Sequence, residues 1–433
     1  MIDIKDLLKR PEYYKEALHK KNVKDVNIDE IISLKLTLNK LQKNLDDARN
    51  ELKKISKPNL TEEDKIRAKN LKENIKQLED ALEKILKEFN KKISLIPNPP
   101  LDDVPVGQDE TFNIEIRKWG EPRSFNFKVQ DHVDLGNKFD LIDLERASKI
   151  SGSRFAYLKN ELFWLEFAIV RFVLDRLTNP DYLARVIKKN GLDVPSKRFV
   201  PIIPPVLIKP EIMWAMGFMD RGSAEVYFLK DDNLVLAGTA EQSVGSMHAD
   251  EILPENKLPL RYLAFSSCFR REAGSYGKDV RGIIRVHQFD KLEMVSFVTK
   301  ENSDKEHKLF LALEEEMMKE LNIPYRVLLI CSGDLGDSAA KKYDIEAWIP
   351  SQNRYRETHS TSNTTDFQAR RLNTRVRRKN GKTEYVHIIN GTAFAIGRIL
   401  VAIIENYQNQ DGIDIPESLL PYLPFDKITF KNE

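Results

Sequence analysis

Cysteine is almost missing from this chain: Cys268 and Cys331 are the only two in 433 residues. They stand far apart, with no CxxC spacing and no neighbouring histidine, which excludes a disulfide framework and gives no zinc pattern. Long apolar runs are missing too. Nothing approaches the ~20 apolar residues of a membrane span, and the opening MIDIKDLLKR has no apolar signal core. A reducing, cytoplasmic setting with no membrane partner is therefore expected. A net charge of +2 is too small to argue for a nucleic-acid partner by itself, so any such surface must be local. What is present is a soluble composition, 41% hydrophobic and 31% charged, on a chain long enough for two domains.

Two stretches carry a heptad seam. Ile31, Leu34, Leu38, Leu41, Leu45, Ala48, Leu52 and Ile55 alternate spacings of three and four, the pattern of a helix presenting one narrow apolar stripe. Pro58 interrupts it, and Thr61 with Asp64 gives a capping-box start to a second helix. The seam then resumes at Ala68, Leu71, Ile75, Leu78, Leu82, Ile85 and Phe89. Two such helices joined by so short a turn must fold back as an antiparallel coiled coil, about 40 Å long for ~28 residues. Off the seam the residues are mostly Lys, Glu, Asp and Asn, so the hairpin should project into solvent. Taken alone, the seam suits a spacer or dimerisation element.

Residues 96–106, with Pro97, Pro99, Pro100 and Pro105, read as a linker. Strands and helices interleave beyond it. Residues 160–177 have apolar side chains around most of a helical circumference, so this helix should be buried. Asn380 and Gly381 between alternating runs signal a hairpin. Mixed α and β content with hairpins argues for an α+β fold, an antiparallel sheet flanked by helices.

The most informative stretch runs from Phe269, Arg270, Arg271 and Glu272 through a loop rich in glycine to Arg285, Val286, His287, Gln288, Phe289 and Glu293. Residues 263–269 are β-prone and residues 283–298 resume a strand pattern, giving a long hairpin with a mobile tip. An arginine fork matches a pair of phosphate oxygens, and a carboxylate beside it can accept from an adenine amino group or order the arginine. A salt-bridged hairpin of no special function would show the same Arg/Glu pair. His287, on a strand between apolar neighbours, reads as structural.

FRREAGSYGKDVRGIIRVHQFDKLEM resembles motif 2 of the class II aminoacyl-tRNA synthetases, in the wording of the seryl-tRNA synthetase family. NGTAFAIGR, residues 390–398, resembles motif 3, and FVPIIPPVLI resembles motif 1 with Pro204 as its proline. The similarity extends over nearly the whole chain. It implies the class II antiparallel sheet, a tRNA-binding coiled-coil arm over residues 1–100 and a catalytic domain over residues 101–433. It also implies ATP and magnesium, L-serine, tRNA(Ser) and tRNA(Sec) as partners, and a homodimer whose interface includes motif 1. An arm that binds RNA works by shape and backbone charge.

The resemblance further implies residue roles. Arg270 and Arg398 are the catalytic cations, on the α-phosphate with the serine carboxylate and on the γ-phosphate, respectively. ATP is held by Arg270, Arg271, Glu272, Val286, Glu357, Thr358, His359, Ser360 and Arg398, with Glu272 facing the adenine. Glu357 and Ser360 bear the magnesium. Serine is held by Thr239, Ala240, Glu241, Arg270, Glu293 and Thr392, a small, polar, negative pocket. Thr358 and His359 stand where relatives commonly have Ile and Ser. Attack of a carboxylate on a phosphate needs fixed cations and alignment rather than acid or base groups, so the lack of a Ser/His/Asp triad is expected. Two other readings remain: an inactive paralogue that binds RNA through the arm, and a ligase that loads an amino acid onto a carrier protein. The intact arm disfavours the second, and the presence of Arg270, Glu293 and Arg398 disfavours the first.

Overall fold

The computed structural model describes residues 1–55, 61–274 and 281–429, and the chain divides into two compact units, Met1–Pro99 and Pro100–Glu433. In the first unit, helices α1 (Ile28–Ile55) and α2 (Glu62–Ser94) carry the two seams. Interhelical ion pairs Lys92–Glu30, Arg49–Glu79 and Arg67–Glu51 run in opposite order along the two helices, so the pairing is antiparallel. Ile31, Leu38, Leu45, Ala48 and Phe89 are buried, and the other seam positions are half-buried between exposed charges. Thr61 and Asp64 form the reciprocal capping box, which satisfies two orphan amides at the start of α2. The turn at Pro58 lies outside the described residues.

The second unit is built on an eight-stranded sheet. Its strands are β1 (Ile114–Trp119), β2 (Val200–Ile202), β3 (Leu260–Phe269), β4 (Gln288–Val298), β5 (Tyr325–Leu329), β6 (Lys341–Ile349), β7 (Arg354–Asn363) and β8 (His387–Ala395). Their spatial order is β1-β5-β6-β7-β8-β4-β3-β2. Every pair is antiparallel except β2 with β3. One face is apolar: Leu292 and Met294 of β4, Val327 of β5, Ile345 of β6 and Ile389 of β8 join one core with helices α3 (Asn160–Leu177), α4 (Ser303–Glu320) and α5 (Ile396–Asn406). Alternation then sends Lys291, Glu293, Asn390 and Thr392 to the opposite face, where a cavity lies.

Four sequence expectations change in detail. The bounds of α3 agree with residues 160–177, and Leu162, Leu165, Ile169, Phe172 and Val173 are buried, but Phe163, Trp164 and Phe167 are about half exposed. An apolar circumference does not by itself say what covers each face. The return strand starts at Gln288 rather than 283, because residues 283–287 make isolated contacts instead of a ladder. Asn380 and Gly381 sit within a five-residue loop between Arg377 and Thr383, with Gly381 at φ +82°. The 96–106 segment is no solvated tether at its far end: Leu101 and Val104 pack against Leu328 and Ile330. No helix among the described residues is long and apolar enough to cross a membrane.

Candidate active site

Two β-bulges set the chemistry of the cavity. Between β6 and β7 the register steps from Ile345 opposite His359 to Glu346 opposite Glu357, leaving Thr358 as an extra residue. An extra residue inverts the side-chain alternation beyond it. Glu357 therefore shares the cavity face with Ser360 and Ser362, three and five positions on. Between β4 and β8 the register steps from Leu292 opposite Phe394 to Glu293 opposite Thr392, with Ala393 as the extra residue. Asn390, Thr392 and Ala395 consequently line one wall.

The cavity, about 220 Å³, brings together Thr239, Glu241, Arg270, Glu272, Val286, Glu293, Glu357, Thr358, Ser360, Thr392 and Arg398. Arg270 Nε donates to the Gly238 carbonyl at 3.0 Å, and its guanidinium lies 5.4 Å from the centre of the Phe289 ring. Its backbone is held by His287, whose carbonyl accepts from the Arg270 amide at 3.0 Å and whose Nδ1 lies 2.9 Å from the Arg270 carbonyl. His287 is thus structural. Arg398, in the first turn of α5, reaches Glu357 Oε2 at 3.3 Å and donates to the Glu357 carbonyl at 3.0 Å. Arg285 Nη1 donates to Glu272 Oε2 at 2.6 Å, and Glu272 adopts the left-handed region at φ +52°.

The segment that returns from the hairpin is anchored from below. His132 Nε2 accepts from the Ile283 amide at 3.3 Å, while Nδ1 lies 3.0 Å from Glu405 Oε1. Gly282, at φ +85°, passes so close that a Cβ would fall 1.9 Å from His132 Nε2. Any side chain there would displace the cavity-lining stretch 283–286.

At the other end, Thr239 caps residues Ala240–Val244, its hydroxyl accepting from the Glu241 amide at 3.3 Å. Gln368 Nε2 donates to Glu241 Oε1 at 2.8 Å. Burial nevertheless pushes the Glu241 carboxyl up to about 7, against the pull of Gln368 and with Glu293 adding to the rise. Glu293 makes a close contact with Lys291 and lies 3.5 Å from the Thr392 hydroxyl. Enclosure pushes Glu357 up as well, but Arg398, Lys342 and Arg270 more than reverse it, holding the carboxyl down to about 2.

Three residues expected at the site are not brought to it. His359 is buried on the opposite face, beside Phe394, with Nδ1 2.8 Å from the Thr358 hydroxyl. Desolvation pushes it down to about 3, so it stays neutral. The Thr358 bulge is the reason. Arg271 is exposed, with its amide tied to the Glu225 carbonyl at 2.9 Å. Ala240 packs into the apolar cluster with Ala264 and Val295. Sequence reasoning, conversely, left Phe218, Arg285, Phe289, Lys291, Ser362 and Asn390 without a role, and all six line the cavity. Phe289, Lys291 and Glu293 recur every second residue, a signal that could have found the first two. Lys291 makes the pocket less negative than expected. Among the described residues, Asn390 Nδ2 is buried with no hydrogen-bond partner.

The surroundings of these residues match known proteins. Residues 227–407 match the model of the tRNA synthetase class II core domain (G, H, P, S and T), and residues 1–100 that of the seryl-tRNA synthetase N-terminal domain. The serine–tRNA ligase of Fervidobacterium nodosum is 47% identical over 439 residues, 99% of each chain. The crystal structure of seryl-tRNA synthetase from Pyrococcus horikoshii complexed with ATP superposes with a TM-score of 0.89 at 38% identity, covering 100% of both chains. That of the cytoplasmic serine–tRNA ligase from Naegleria fowleri in complex with AMP gives 0.82 at 30% identity, covering 98% of this chain and 96% of that one. With a mainly antiparallel eight-stranded sheet, motifs 2 and 3 meeting at one cavity, and similarity along its full length, this chain belongs to the seryl-tRNA synthetase family of class II aminoacyl-tRNA synthetases.

Proposed function

We propose that this chain is a serine–tRNA ligase that works in two steps. In the first, a serine carboxylate oxygen bonds to the α-phosphorus of ATP, and the bond from that phosphorus to the bridging oxygen breaks, releasing pyrophosphate. In the second, a hydroxyl of the tRNA 3′-terminal ribose attacks the seryl carbonyl and AMP leaves. What supports this reading is that a single cavity is lined both by Arg270 and Arg398 and by the acids and hydroxyls Glu241, Glu293, Thr239 and Thr392. Arg270 lies between the two anions that must approach one another, and Arg398 lies toward the leaving group. Fixed cations at such points lower the barrier without reorganising. Phe289, with Val286, Ile283 and Ile284, gives the adenine an apolar slot.

Glu241 receives the serine ammonium, and Glu293 with Thr392 the side-chain hydroxyl. A site built to hydrogen-bond a hydroxyl refuses the analogue lacking it by ~10⁴-fold or more, whereas one extra methyl is excluded by only ~1–3 kcal/mol. Alanine is therefore rejected strongly and threonine less so. Glu357 and Ser360 would hold magnesium. Their oxygens suit a hard ion that keeps waters and shares phosphate oxygens, and the Glu357 carboxyl is ionised. When bound, the ion neutralises phosphate charge.

The arm over residues 1–100 grips tRNA(Ser), and tRNA(Sec) is the second acceptor that the family resemblance implies. The working unit is a cytoplasmic homodimer. Ile203, 85% exposed beside Pro204, and the half-exposed Phe163, Trp164 and Phe167 are apolar surfaces that a second copy would cover. Serine-dependent exchange of labelled pyrophosphate into ATP, run without tRNA beside alanine, threonine and glycine, tests the first step. Exchange is expected with serine and is lost by ~10²–10³-fold in Arg270→Ala. Absence of exchange with every amino acid would move weight to an RNA-binding paralogue.

A further inference from the structure

Gln368, in the short helix Phe367–Leu372, is wholly buried and does not itself line the cavity. Its Nε2 donates to two acceptors, Glu241 Oε1 at 2.8 Å and the Met216 carbonyl at 3.1 Å, and its Oε1 lies 3.2 Å from the Thr364 hydroxyl. An amide nitrogen carries two hydrogens, so both are used. The amide cannot turn over without setting its oxygen against a carbonyl and a carboxylate.

The Met216 end is itself fixed. Gly217, at φ +91°, turns the chain there, and the next residue, Phe218, lines the cavity. Arg371, from the same helix as Gln368, donates to the Trp214 carbonyl at 2.7 Å and reaches Asp220 Oδ2 at 3.3 Å. One helix thus grips residues 214–220 through two side chains three positions apart, and Gln368 ties that grip to Glu241.

The kind of donor matters. A carboxylate this buried needs hydrogen bonds to keep its charge. A cation would supply one and cancel the charge that attracts a substrate ammonium, whereas an uncharged amide supplies one and leaves the charge in place. The charged groups near Glu241 are Glu293, Lys291 and Arg270. Of the two cations, Lys291 is in close contact with Glu293, and Arg270 Nε donates to the Gly238 carbonyl.

We propose that Gln368 is a positioning residue for serine: it fixes one oxygen of Glu241 to the turn that carries Phe218 and leaves the other oxygen, still charged, for the serine ammonium. The inference rests on the serine-activation reading. The bond from Gln368 favours the ionised carboxyl, against the rise that burial and Glu293 impose. Without it, less of Glu241 is ionised at neutral pH, and what is ionised is free to turn.

The test uses the full-length protein and serine-dependent exchange of labelled pyrophosphate into ATP, measured from pH 6 to 9 at varied serine and varied ATP for the wild type and Gln368→Met. One hydrogen bond to a charged group is worth on the order of tenfold. At pH 7 the variant's kcat/KM for serine should fall by about that factor relative to wild type, the deficit should shrink as pH rises, and the KM for ATP should stay within about twofold. Should the methionine variant fail to fold, Gln368→Glu gives the same comparison, with the deficit reaching to higher pH because two carboxyls then face one another. A deficit that is constant with pH, or a KM for ATP that rises as much as that for serine, would overturn the proposal while leaving serine activation standing. A wild type without exchange would remove the serine-activation reading and this inference with it.

Discussion

The arm and the sheet hold themselves together by opposite means. In the arm, each helix buries a stripe one or two residues wide, and the charges on either side stay wet: the Arg67–Glu51 pair has side chains 63% and 43% exposed. In the sheet domain, charge goes inside. Arg261 and Glu306, 0% and 2% exposed, form a two-pronged pair at 2.6 and 2.8 Å. Ser296 also donates to Glu306, and Arg261 to the carbonyls of Pro195 and Lys197. The arm repeats one local rule and needs no individual residue greatly. The sheet domain depends on particular polar contacts, each costly to leave half made.

That contrast can be broken or sharpened by substitution. Glu306→Gln removes one member of a buried pair and should cost ~3–5 kcal/mol of stability, read as a fall in the denaturation midpoint of the sheet domain. An effect under 1 kcal/mol would show that water reaches the pair. In the arm, Leu45→Ala deletes a buried seam residue and should cost roughly 2–3 kcal/mol, seen by hydrogen exchange of α1 amides with the sheet amides unaffected. Glu241 links burial to substrate: its carboxyl is protonated below about pH 7 and ionised above. The kcat/KM for serine should therefore fall about tenfold per unit below that value, and Glu241→Gln should flatten the limb. The same group favours the folded state most below its ordinary value of 4.5, and that contribution is lost as pH rises through about 7. Smallest of all, Arg67→Ala should change arm stability by no more than ~0.2–1 kcal/mol, and less at high salt.

The same division separates what could be read in the sequence from what could not. A heptad is a local code, so the seam from Ile31 to Ile55, the Thr61 capping box and the bounds of α3 were all legible. Arg270, Glu272, Glu293, Glu357, Ser360, Thr392 and Arg398 were legible through motif resemblance, and the structure brings them to one cavity. Long-range pairing was not legible. Nothing local in ETHSTSN says that Thr358 is extra in its strand, so the face of His359 could not be assigned. Nothing in β6 says that Lys342 and Asp344 sit beside Glu357, because their proximity is a matter of register across two strands. The exposed aromatic face of α3 was missed because hydrophobicity reports a wish to be covered and not by what.

The two bulges mean that the pocket is defined by counting as much as by residue identity. A designer who transplanted Glu357, Ser360, Glu293 and Thr392 onto a regular antiparallel scaffold, position for position, would obtain a different site. Restored pairing would turn His359 toward the substrate and send Ser360 into the hydrophobic layer. The unit that has to be inherited or copied is the residue set together with its one-residue phase error in each strand. A single deletion at Thr358 or Ala393 should therefore do more harm than most substitutions of the residues that touch substrate.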